Sequence, residues 1–163
     1  MMSKNRPLTG IIVFIVIACF VFCDVSPDAK TLSYEIINTY THDPEAFTQG
    51  LVWHDGFLYE GTGLYGQSSL RKVDLKTGIT LKQINLPVEL FGEGITIFND
   101  RIYQLTWKSK IGFIYDLYSF QQLETFSYHY EGWGITHNGE KLIISDGTSV
   151  LHFVDPVTLR ETG

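Results

Sequence analysis

Three side chains able to do very different chemistry stand at one repeating position of this sequence. Gln49, Glu93 and Trp133 each immediately precede a glycine, namely Gly50, Gly94 and Gly134. Gly94 follows Gly50 by 44 residues, and Gly134 follows Gly94 by 40. A purely structural position tends to keep one residue type, so this one reads as a fixed scaffold point around which site chemistry varies. Glu93 is the group that can move a proton. Beside Phe91, Trp107 and Trp133 its carboxyl would be partly desolvated, which raises a carboxyl pKa toward neutrality. A group that takes and returns protons works best there. The same glutamate at a solvated rim would be plain surface charge.

The neighbouring residues carry the same double reading. Gln49 shares the register position of Glu93 and reads as a polar pocket residue. Phe47 and Phe91 share another position, as pocket wall or as packing between repeats. Trp107 and Trp133 are site aromatics or core aromatics. Trp107 stands where the other repeats have Gly63 and Gly147, so it is an addition to the scaffold. Trp53 has no such argument and reads as core. Glu60 and Glu131 are rival carboxylates, with Glu60 on a second strand as a structural or hydrogen-bonding group. The histidines His42, His54, His129, His137 and His152 show no metal-ligand spacing and read as surface. Cys19 and Cys23 are the two cysteines, both in the apolar leader, so no thiolate site is available. Neither a metal nor any other cofactor is expected.

The elements that must position these residues follow the same period. Short runs at residues 50–53, 57–62, 69–75 and 79–86 read as four strands. Asp55-Gly56 supplies a two-residue hairpin turn, and Lys76-Thr77-Gly78 a second turn. The cycle recurs at residues 94–98, 101–107, 111–117 and 123–128, and a third begins at Gly134 with Asn138-Gly139 as its first turn. Asp74, Asp116 and Asp155 keep the register on the third strands, spaced 42 and 39. Four short antiparallel strands per repeat of this length is the pattern of a propeller blade. The fold class expected is therefore all-β, a β-propeller with about three blades over residues 34–163. Residues 34–40 alternate and read as a preceding fourth strand.

Lys4 and Arg6 precede an apolar run over residues 11–23. That length is short for a membrane span and reads as a secretory signal peptide, or alternatively as an N-terminal membrane anchor. Residues 24–33 form a linker. The expected location is the secretory pathway, extracellular or periplasmic, or the membrane if the anchor persists. The formal charge of −6 argues against nucleic acid as a partner. A monomer is expected.

Five motifs stand in order along the chain: Phe47-Thr48-Gln49-Gly50-Leu51, Gly61-Thr62-Gly63-Leu64-Tyr65-Gly66-Gln67-Ser68, Phe91-Gly92-Glu93-Gly94-Ile95-Thr96, Leu105-Thr106-Trp107-Lys108 and Glu131-Gly132-Trp133-Gly134. Together they resemble the plant and bacterial type of glutaminyl-peptide cyclotransferase, a five-bladed propeller unrelated to its zinc-dependent animal counterpart. The resemblance runs from about Tyr34 onward, and implies a C-terminally incomplete copy whose family continues for about two further blades. It implies formation of pyroglutamate from the N-terminal glutamine of peptides or proteins, with release of ammonia and without a metal. Glu93 is then the catalytic acid/base. Phe47, Gln49, Phe91, Trp107 and Trp133 bind substrate, and an indole N–H is free to donate to it. A propeller that only binds peptides is the alternative. A metal-dependent lactonase-like propeller needs a ring of oxygen ligands, which Trp133 interrupts.

Overall fold

A computed structural model describes residues 32–163. The leader lies outside the described residues, as does nearly all of the linker. Among the described residues, Asn38–Gly163 form one compact unit, whose architecture is as follows.

Two complete four-stranded meanders and a three-stranded sheet follow one another. The first contains β1 (Thr48–His54), β2 (Phe57–Thr62), β3 (Ser69–Asp74) and β4 (Thr80–Asn85). The second contains β5 (Gly92–Phe98), β6 (Arg101–Thr106), β7 (Ile111–Asp116) and β8 (Gln122–Ser127). The third contains β9 (Ile135–His137), β10 (Leu142–Ser145) and β11 (Leu151–Val154). Every neighbouring pair is antiparallel and in sequence order. These are consecutive blades of a β-propeller. The expected strand at residues 34–40 is absent: those residues belong to no strand. Tyr34, Ile36 and Ile37 remain exposed, because alternation makes a strand only where an edge accepts its hydrogen bonds.

The turns explain the period. Asp55 and Gly56 both take positive φ, as do Asn99 and Asp100, the conformation demanded by two-residue hairpins that match strand twist. In the third blade the two-residue turn is Gly139-Glu140, one position later than Asn138-Gly139, because Asn138 and Lys141 form the closing bonded pair. The spaced aspartates cap the turn that follows each third strand. Asp74 Oδ1 accepts the Thr77 N–H at 2.9 Å and its hydroxyl at 2.7 Å. Asp116 Oδ1 treats Ser119 the same way, and Asp155 Oδ1 treats Thr158 the same way. Four residues after each aspartate the chain takes positive φ, at Gly78, Phe120 and Leu159. These hydrogen bonds to the ionised form hold all three carboxyls below their ordinary pKa.

Strands β5, β6 and β7 of blade two are buried on both faces, and the strand period of two sorts their side chains. Ile102, Phe113 and Tyr115 pack toward blade one with Leu70 and Ile95. Tyr103, Leu105 and Ile114 pack toward blade three with Leu142 and Ile144. The first strands lie side by side through their glycines. A Cβ on Gly50 would stand 2.5 Å from the Ile95 nitrogen, and one on Gly94 would stand 2.6 Å from the Trp133 carbonyl oxygen. That contact is as close as backbone can come to backbone, and only glycine permits it.

Candidate active site

The residues before those glycines stand where the first-strand pairing is interrupted, by a β-bulge in blades one and two and by a bulge-like backbone pairing ahead of β9 in blade three. Along β1 the register passes from Thr48 to Gly50 while β2 passes only from Thr62 to Gly61, which leaves Gln49 over. Along β5 it passes from Gly92 to Ile95 while β6 passes from Thr106 to Gln104, with one of Glu93 and Gly94 in excess. In blade three, Ser145 is bonded by two residues at once. Its carbonyl accepts from Trp133 N–H at 3.0 Å, and its N–H donates to the Gly134 carbonyl at 2.9 Å. A bulge takes a residue out of the alternation and re-aims its side chain. Repeated in three blades, it points Gln49, Glu93 and Trp133 toward one place.

That place is a cavity of about 290 Å³ lined by Phe47, Gln49, Phe91, Glu93, Trp107 and Trp133. All six residues singled out from the sequence line it. Phe91 is the hinge of the aromatic wall. It meets Phe47 at 6.2 Å, Trp107 at 5.6 Å and Tyr65 at 5.5 Å, each edge to face. Gly63 and Gly147 make room for this wall. A Cβ on Gly63 would stand 2.5 Å from the Phe91 ring, and one on Gly147 would stand 2.7 Å from the Trp133 ring. At the same level Gly94 N–H donates across the seam to the Trp133 carbonyl at 2.8 Å, and within blade two Trp107 N–H donates to the Phe91 carbonyl at 3.0 Å. Phe47 and Trp133 remain half exposed, so their rings are open to an incoming group.

Glu93 is half-buried among these rings, and its carboxyl is pushed up to about 7 from an ordinary 4.5. Desolvation by the surrounding aromatics is the larger cause, and the negative charge of Glu131 adds to it. Glu131 itself moves the other way. Its Oε2 accepts the Trp107 indole N–H at 2.6 Å and the Trp133 indole N–H at 3.2 Å. Those two bonds, aided by the Lys108 and Lys110 charges, hold its pKa below the ordinary carboxylate value. Two adjacent carboxyls are thus driven apart, one proton-holding near neutral pH and one ionised.

Several sequence expectations need correction. Both indole N–H groups are taken by Glu131, so neither is free to donate to a substrate. Trp53 is not core but more than half exposed. His42 is exposed as expected, yet it has a buried partner: its Nε2 lies 2.7 Å from Oε1 of Glu60, which is 2 % exposed and also accepts the Thr48 hydroxyl at 2.6 Å. His152 is held between Asp146 at 3.1 Å and Glu161 at 2.9 Å and stacks on Tyr130 with ring centres 3.5 Å apart. Sequence reasoning missed Tyr65, which sits in a quoted motif, and it weighed Glu131 only as a rival acid. The signal for Glu131 was two tryptophans in need of an acceptor and a carboxylate two positions before one of them.

A sequence model of the family described as glutamine cyclotransferase matches residues 11–163. This chain belongs to that family. It is 43% identical over 130 residues to the glutaminyl-peptide cyclotransferase of Arabidopsis thaliana, covering 78% of this chain and 41% of that protein. It superposes on the crystal structure of Myxococcus xanthus glutaminyl cyclase with a TM-score of 0.73 at 36% identity, covering 79% of this chain and 54% of that one. It also matches the RRP9 WD40 repeats with a TM-score of 0.58 at 15% identity, over 75% of this chain and 38% of that one. That likeness is one of propeller fold alone. The chain spans about half the length of these relatives or less.

Proposed function

We propose that this protein is a glutaminyl-peptide cyclotransferase that uses Glu93 as its proton carrier and needs no metal. The observation that carries this is the carboxyl of Glu93, poised at about pH 7 inside an aromatic cavity. The substrate's N-terminal amine attacks the Cδ of its own side-chain amide. A new N–Cδ bond forms, the Cδ–NH2 bond breaks, and ammonia leaves behind a five-membered lactam. The reaction is already intramolecular, so holding the reactive conformer can supply much of the roughly 7–11 kcal/mol available from orientation. What remains is one proton to be moved from the attacking nitrogen to the departing one. The Glu93 carboxylate takes it from the first and returns it to the second. Phe47, Phe91, Trp107 and Trp133 pack the substrate side chain and exclude water, and the Gln49 amide offers a donor and an acceptor. Ammonia release from a glutamine-initiated dipeptide tests the proposal, and a folded protein without turnover would overturn it.

The pH dependence has a defined sign. Below about pH 7 Glu93 holds its proton and cannot accept another. The activity therefore rises with pH through about 7, and rises further as the substrate amine loses its proton near roughly 8. Stability runs the opposite way for this group. The folded state binds the proton more tightly than an unfolded chain titrating near 4.5. The contribution of Glu93 to stability is full below that value and is lost as pH climbs through about 7. Initial rates and thermal midpoints across the neutral range measure both limbs.

The donor set supports a reaction without a metal. Among the described residues no three His, Cys, Asp or Glu side chains cluster to hold a metal ion, and Glu131 is committed to two indoles. Exhaustive chelation is expected to leave turnover intact. Loss of activity restored by zinc would contradict it. The basic residues Lys4 and Arg6 before the apolar run support placing this activity in the secretory pathway.

A further inference from the structure

We propose that Glu131 is the positioning residue of this site: one carboxylate oxygen clamps the indole N–H groups of Trp107 and Trp133 and thereby sets the two tryptophan walls around Glu93. The inference rests on the reading of the site given above and adds a residue to it. Trp107 follows β6 of blade two and Trp133 precedes β9 of blade three, so the clamp spans the seam between blades. Among the described residues, nothing else in their hydrogen bonding links the two side chains to each other. The Glu131 Oε2 bonds, at 2.6 Å and 3.2 Å, do so through a single atom.

The clamp is itself fixed. Gly132 N–H donates to the Trp107 carbonyl at 3.2 Å. A Cβ on Gly132 would collide with the Tyr128 hydroxyl and stand 2.7 Å from the Thr106 carbonyl. The segment carrying Glu131 is therefore pressed onto the end of β6 and cannot swing away. Tyr128 closes the same corner, accepting the Thr106 N–H at 2.9 Å and donating to its carbonyl at 2.5 Å. Lys108 lies over the Trp107 ring at 4.0 Å, so that ring is held at its edge by an anion and at a face by a cation. Because both N–H groups point at Glu131, the walls present apolar surface to the substrate, which suits aliphatic methylenes better than a polar contact. The charge has a second effect. Glu131 is the anion that raises Glu93, while Lys108 and Lys110 are the cations that act on Glu131 itself.

Glu131→Ala and Glu131→Gln separate the two effects. In substrate-free protein with nitrogen-15 in its indoles, Glu131→Ala shifts the Nε1–H resonances of both Trp107 and Trp133 toward that of exposed Trp53, and their hydrogen exchange accelerates. This readout does not depend on turnover. If those resonances stay in place, the clamp is wrong even in an active protein. If the wild type has no turnover, the cyclotransferase reading fails while the resonances still decide the clamp. In kinetics, Glu131→Ala lowers kcat/KM by roughly 10²-fold, the effect of a misplacement of about 1 Å, chiefly by raising KM. Glu131→Gln keeps a carbonyl acceptor and loses the charge, so its KM changes less and the acid limb of its pH profile moves to lower pH. A purely structural Glu131 would leave that limb where it is in the wild type.

Discussion

Replacing Glu93 with glutamine lowers kcat for cyclisation by roughly 10² to 10⁴, the range set by acid–base groups. The substitution keeps size and polarity, so the aromatic walls stay in place and KM changes little. The proton that must leave the attacking amine then has only water to receive it, and the cavity excludes most of that water. Glu60→Gln is the matching control. That carboxylate is fully buried behind β1 and fastens His42 and Thr48, so its loss lowers the thermal midpoint and leaves kcat close to wild type. Ammonia release measured at several substrate concentrations separates these outcomes. Near-normal turnover in the Glu93 variant, or a larger loss at Glu60, would move the catalytic carboxyl elsewhere.

Gly94→Ala destabilises the protein by about 3 kcal/mol, the upper end of overpacking costs, and lowers its thermal midpoint by roughly 10 °C. The added methyl would stand 2.6 Å from the Trp133 carbonyl oxygen and 2.9 Å from both Gly134 Cα and the Ile135 nitrogen. All three are backbone atoms, so no rotamer change relieves the clash, and blades two and three must separate. Gly56→Ala supplies the contrast. Its φ is +82°, but no atom lies within 4 Å of the new Cβ. Its cost is that of the left-handed backbone alone, roughly 1–2 kcal/mol. Thermal unfolding of the two variants side by side distinguishes close approach from backbone strain. Equal midpoints would refute the close-approach reading for Gly94.

Much of this fold was legible because blade geometry repeats. The aspartates at 74, 116 and 155 recur since each caps the same turn, and the glycines at 50 and 94 recur since each of those first strands touches the next. Both constraints repeat with the blade and leave their mark at regular intervals. Of the six pocket residues, register pointed to Gln49 and Trp107, and the resemblance to a known family supplied the full set. What escaped were pairings set by the third dimension alone. Glu131 meets Trp107 across 24 residues and a blade seam, and spacing carries no sign of it. Trp53 was misread because aromatic character does not reveal which face of β1 a side chain takes. The segment at residues 34–40 was misread because alternation describes a side chain pattern and not a hydrogen-bonding partner.

The interrupted pairing shared by the three blades has an evolutionary corollary. A duplicated blade brings with it a ready socket whose side chain already faces the common cavity. Because the position is held by backbone bonds and by the glycine that follows, the side chain in the socket can change without altering the ladder's backbone pairing. Glutamine, glutamate and tryptophan at positions 49, 93 and 133 are three independent fillings of one mould. New chemistry can therefore be tried here one codon at a time, with the architecture left as it stands.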